Sequence, residues 1–174
     1  IAGLIEVGIV WYLSSRIQKL SLVSATMWFI VFAAINGLTL GWIFAAFSTA
    51  VIAKTFFITA GTFGAMALIG ATTKKDLTKM RGILFMALIG LIIAGLVNIF
   101  LRSEMFDFII SCVGVLIFTG LTAWDAQVIK RNLLMAPDAG EAAQKIALLG
   151  SLSLYLDFIN LFIYLLRLLG NNRN

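Results

Sequence analysis

Two carboxylates stand where this sequence can least tolerate charge. Asp157 lies in Ser151-Leu-Ser-Leu-Tyr-Leu-Asp157-Phe-Ile-Asn160, about eleven residues or roughly 16 Å into the last long apolar run if that run is helical. Ser153 precedes it by one turn and Asn160 follows by one, so the three share a polar stripe. Asp125 follows Trp124 in Thr122-Ala-Trp-Asp125-Ala-Gln127, at the end of the preceding apolar run. If that helix continues through Lys130 and Arg131, Asp125 lies about a turn and a half below the membrane surface. A charged side chain at mid-bilayer costs about 2.5–3.5 kcal/mol on insertion scales, so each one normally faces an interior or water.

Two antiparallel neighbouring helices could bring Asp125 and Asp157 together. Adjacent carboxylates at low dielectric cannot both ionise easily and titrate as a unit, which makes a pH sensor without histidine. When ionised, the pair is an oxygen-rich site for a hard cation such as calcium, held transiently. Arg16, ending the first apolar run, is the candidate counter-ion. Glu6, about one and a half turns into that first run, is a candidate second acidic station on an ion path, with Asn160 as another. Each has a blander reading: a helix-packing hydrogen bond for Asp157, a wet span end for Asp125. Glu104 and Asp107 read as solvated loop acids.

The elements that position these residues follow from composition. Of 174 residues, 61% are hydrophobic and 12% charged, against roughly 25% charged in soluble domains. A water-soluble domain of this size could not hide that apolar surface, whereas a bilayer accepts it. One proline and long apolar runs favour helices over the alternating strands of a barrel. The candidate spans are Ile1–Ser15, Leu22–Phe47, Thr55–Thr72, Gly82–Leu101, Met105–Trp124 and Ile146–Leu169. Ile1 already lies inside an apolar stretch, so the chain is expected to begin part-way through a longer protein. Residues 1–174 then form one all-α transmembrane domain that lacks its first span.

Alternating spans place nine basic residues on one side: Arg16, Lys19, Lys74, Lys75, Lys79, Arg81, Lys130, Arg131 and Lys145. Four fall on the other: Lys54, Arg102, Arg167 and Arg173. The first side is expected to be cytoplasmic, with the C-terminus outside. The net charge of +5 is thus accounted for by topology, and no nucleic-acid partner is expected. Small residues spaced by four, in Gly37…Gly41, Ala60…Gly64 and Gly90…Ala94, are expected to let helices approach closely. Trp11, Trp28, Trp42 and Trp124 read as interfacial anchors.

The chain has no histidine, which excludes Ser-His catalysis and imidazole metal sites. Cys112 is alone, so no disulfide framework exists. Two intramembrane aspartates also describe the proteases that cut within membranes. Those enzymes carry Tyr-Asp on one helix, Gly-x-Gly-Asp on the next and a later Pro-Ala-Leu. Here Tyr155-Leu-Asp157 has no glycine pair and Pro137 precedes Asp138. No enzyme and no resident cofactor are expected.

Four stretches together resemble the transmembrane Bax inhibitor motif family, most of all its bacterial inner-membrane branch. They are Thr59-Ala-Gly-Thr-Phe-Gly-Ala-Met, Thr72-Thr-Lys-Lys-Asp-Leu, Gly120-Leu-Thr-Ala-Trp-Asp125-Ala-Gln127 and Leu154-Tyr-Leu-Asp157-Phe-Ile-Asn-Leu-Phe. The resemblance implies seven helices with the last one central, six of them visible here. It implies a pH-sensitive calcium leak closed by two aspartates, which match Asp125 and Asp157. A counter-ion arginine falls on or beside Arg16, and Glu6 matches an acidic position of some members. Trp124 departs from the pattern, since many members have tyrosine before the aspartate. Some bacterial relatives are linked to a membrane-anchored quality-control protease, so a non-conducting regulator that binds membrane proteins is the alternative. A bundle whose aspartates only stabilise packing is the third reading.

Overall fold

Long apolar runs in a bilayer must satisfy their backbone groups internally, and this chain does so with helices. The computed structural model describes residues 2–170, with side chains from residue 8 onward. These residues form seven helices and no strand: α1 (Ala2–Arg16), α2 (Leu22–Thr39), α3 (Trp42–Ala46), α4 (Thr49–Thr72), α5 (Met80–Leu101), α6 (Glu104–Leu134) and α7 (Glu141–Gly170). Five segments are long and apolar enough to cross a membrane, counting α2 and the short α3 as one span, Leu22–Ala46. The six expected spans follow this order, although the first, at α1, is not among the five; the Glu6 side chain lies outside the described residues.

Local chemistry sets the ends. The Ser21 hydroxyl accepts from the Ser24 amide at the start of α2, and Ser103 accepts from Phe106 at the start of α6. Arg102 takes a left-handed conformation (φ 49°) at the end of α5, and the Asn98 side chain accepts from the next amide, Ser103. The α2–α3 span breaks at Leu40 and Gly41, a step that hydropathy does not reveal.

The largest departure from the sequence expectation is at the α6–α7 turn. Helix α6 runs ten residues past Trp124, and α7 starts five before Ile146. The added turns are polar but helix-favouring, and they are held from outside. Gln127 accepts from the Leu77 amide (2.9 Å) and donates to the Lys75 carbonyl (2.8 Å). Lys145 and Glu141 pair across one turn at 2.9 Å.

Helices α6 and α7 form the axis. α7 packs against α2, α4 and α6, while α6 packs against α4, α5 and α7. The last helix is central, as expected, and shares that position with α6. Close approach depends on glycines other than those expected. A Cβ at Gly114 would stand 2.7 Å from the Tyr164 ring, one at Gly150 2.6 Å from Ile129, and one at Gly70 would run into the Ala123 backbone. Nothing among the described residues lies within 4 Å of such a Cβ at Gly37, Gly64 or Gly90. The four-residue spacing marked lipid-facing glycines, because it records a helix face without saying which face is packed. Lipid-facing apolar side chains are abundant, with Phe100 87% and Leu38 83% exposed.

Candidate functional site: an aspartate pair between two cavities

The register of α6 against α7 follows from the two glycine contacts. Gly114 faces Tyr164 and Ile129 faces Gly150, so the helices run antiparallel with little slip between them. Asp125 and Asp157 fall between those contacts in the same register, and their carboxyl groups are close neighbours. Asp157 is buried at 5% exposure, and Asp125 is half-buried. Asp157 Oδ2 meets no donor among the described residues. Two neighbouring carboxyls can bond to each other only while one of them holds a proton, since two ionised groups offer no donor.

Two cavities flank this contact. One, of about 340 Å³, lies between α6, α7 and the end of α1, and is lined by Asp125, Gln18, Asn132, Gly150 and Ser153. The other, of about 650 Å³, lies between α1, α2 and α7, and is lined by Asn36, Thr39, Leu156, Asn160 and Ile163. The α7 stripe seen in the sequence joins them. Ser153 lines the first cavity and Asn160 the second, while buried Asp157 stands one turn from each. Asn160 Nδ2 also donates to the Leu156 carbonyl at 2.8 Å. In the wall of the second cavity, Asn36 Oδ1 accepts from the Tyr155 hydroxyl at 2.9 Å.

Of the site residues read from the sequence, the fold brings Asp125 and Asp157 together and sets Asn160 one turn away. Arg16 is not brought to the pair. It is exposed, makes no ion pair among the described residues, and lies over the Tyr12 ring with 5.8 Å to the centroid. Helix α1 ends there, and Gln18, two residues on, lines the cavity at Asp125 instead. Asp107 is not a free loop acid: it pairs with Arg167 at 3.5 Å. Trp124 packs partly buried against the α5–α6–α7 core cluster with Arg81 over its ring, and its indole N–H meets no acceptor among the described residues.

Two carboxyls supply fewer oxygens than the six to eight or so that calcium takes. Among the described residues no third acid, histidine or cysteine gathers with them.

Sequence reasoning missed Gln18, Asn132 and the Tyr155–Asn36 bond. The polar side chains were visible, but the cavities they line are made by helices distant in sequence. It also missed the fully buried Thr55, Thr59 and Thr122, since a threonine in an apolar run reads as inert.

A family model described as inhibitor of apoptosis-promoting Bax1 matches residues 1–174. The chain belongs to the Bax inhibitor family. An uncharacterized protein of Borreliella burgdorferi is 50% identical over 171 residues, covering 98% of this chain and 74% of that protein. Inner membrane protein YbhL of Escherichia coli is 48% identical over 170 residues, 97% of this chain and 72% of its own length. Uncharacterized protein RP147 of Rickettsia prowazekii is 44% identical over 167 residues, 96% and 70% respectively. Family membership and the five apolar spans together make this an integral membrane protein.

Proposed function

We propose that this family member is a pH-sensitive cation leak, with calcium as its permeant ion, closed by the Asp125–Asp157 pair. The supporting observation is the position of buried Asp157 between two cavities on one polar stripe of α7. When the pair holds its proton, the carboxyls bond to each other and plug the path. When both ionise, their repulsion at low dielectric loosens α6 from α7, and the exposed oxygens attract a cation. Flux therefore rises with pH. The role of Arg16 as counter-ion belongs to a different arrangement of α1, because here the guanidinium lies over Tyr12.

Since YbhL is described as an inner membrane protein, the same membrane is the natural setting for this chain. The side with nine basic residues faces the cytoplasm and the C-terminus faces out. A second reading is a non-conducting regulator that binds other membrane proteins, such as a quality-control protease. It draws on α5, whose Phe85, Met86, Ile92 and Ile93 are more than half exposed on an apolar face turned away from α6.

Purified full-length protein in liposomes separates the two readings. Calcium influx above that of empty liposomes, increasing from about pH 6 to pH 8, supports the leak. Influx equal to that of empty liposomes at every pH rejects it in favour of the regulator.

A further inference from the structure

A second concave site lies at the membrane face where α4 ends and α6 overruns its span. The cavity holds about 360 Å³ and is lined by Lys74, Lys75, Lys130 and Arg131, with Asp76 as the one acid among its lining residues. Its walls are fixed in place. Gln127 ties down both sides of the 73–79 loop through Lys75 and Leu77. Arg131 is held by Asp76 at 3.1 Å and by the Thr78 hydroxyl at 3.0 Å, which sets the plane of its guanidinium. Lys130 donates to the Ala71 carbonyl at 2.7 Å, so a cation covers the negative end of α4.

Asp76 balances Arg131, which leaves three lysines in excess. Lys74 and Lys75 make no ion pair among the described residues and are exposed. A preformed pocket with this surplus suits an anion that accepts several hydrogen bonds, and a phosphate does so best. The rim points to the source of that phosphate. Leu134 and Met135 line the same cavity and are 76% and 71% exposed, an apolar lip that a soluble anion would not use. Basic pockets at the ends of membrane helices hold anionic headgroups in this way.

We propose that this pocket binds the phosphate of an anionic membrane lipid, with Lys74, Lys75 and Arg131 on the headgroup and Leu134 and Met135 beside the chains. The site is separate from the aspartate pair, and its occupancy does not depend on conduction.

Native mass spectrometry of the full-length protein, offered phosphatidylglycerol or phosphatidylcholine in neutral detergent, tests this. Preferential retention of phosphatidylglycerol is expected. It should fall by roughly tenfold or more in Lys74→Ala/Lys75→Ala, given the contribution of each basic residue near a surface. Lys74→Arg/Lys75→Arg should retain it, as should Lys54→Ala/Arg102→Ala, which removes charges outside this pocket. Equal retention of the two lipids, or an unchanged preference in the double alanine variant, overturns the site. Complete displacement of the lipid by excess inorganic phosphate overturns the lipid assignment and makes soluble phosphate the occupant.

Discussion

Midway along the α6–α7 pair an acid meets an acid, and toward one end an acid meets a base. Asp125 and Asp157 are neighbours, and neither makes an ion pair among the described residues. Asp107 and Arg167 stand 3.5 Å apart with side chains 37% and 40% exposed, and the guanidinium lies over the Tyr164 ring. A half-exposed ion pair is worth about 0–1 kcal/mol and is screened by salt. On the proposed reading the carboxyl pair changes character with the loss of one proton, so the inner contact is the one assigned the pH response. One helix pair thus carries an ion pair toward one end and a carboxyl pair midway along it.

The largest effect should come from disturbing the packing of α4 on α6 beside the carboxyl pair. Gly70→Leu pushes a side chain into the Ala123 backbone, which cannot swing aside as a flexible side chain would. A loss of about 1–3 kcal/mol or more is expected, read as a fall in thermal midpoint and in the yield of monodisperse protein. Gly64→Leu, which meets open space, should leave both unchanged; equal damage from the two variants would mean that α4 packs on a different face.

Next comes the ion pair alone. Arg167→Ala should cost at most about 1 kcal/mol and lower the thermal midpoint mainly at low salt. Flux should keep its response between about pH 6 and 8. If that response vanished with Arg167, the contrast between the two contacts would be wrong.

The smallest effect lies outside the membrane. The Thr78 hydroxyl, its amide and then Arg131 bond to Asp76 and hold its carboxyl down at about 2, below the ordinary 3.8. A depressed carboxylate stabilises above its ordinary value, and this support is lost as pH falls through about 2. Amide exchange, corrected for its intrinsic pH dependence, should show residues 73–79 losing protection in that acid window and unaltered between pH 6 and 8. Asp76→Asn should lose part of that protection already at neutral pH.

How much of this was legible beforehand varied with the range of the interaction. Asp157 and its stripe of Ser153 and Asn160 were plain, because helical spacing is local and a carboxylate in an apolar run stands out. The meeting of Asp125 with Asp157 followed once successive helices were taken as antiparallel neighbours. The overrun of α6 past Trp124 entered the sequence reading only as a condition, since hydropathy marks where the bilayer ends and hydrogen bonding continues beyond it. Gly70, Gly114 and Gly150 could not be told from Gly37, Gly64 and Gly90, as each choice depends on atoms contributed by another helix. Arg16 was assigned to the pair from its place at the end of the first apolar run and from resemblance, and here it lies over the Tyr12 ring.

The central claim is that the Asp125–Asp157 contact gives the protein its pH response. Its most direct test is calcium flux against pH in liposomes for the full-length protein, Asp125→Asn and Asp157→Asn, each first shown to match the parent in thermal midpoint. With one asparagine the pair can no longer carry two charges that repel, so both variants should conduct at a level that no longer changes between about pH 6 and 8. A pH profile that survives in either variant would place the sensor elsewhere and contradict the account.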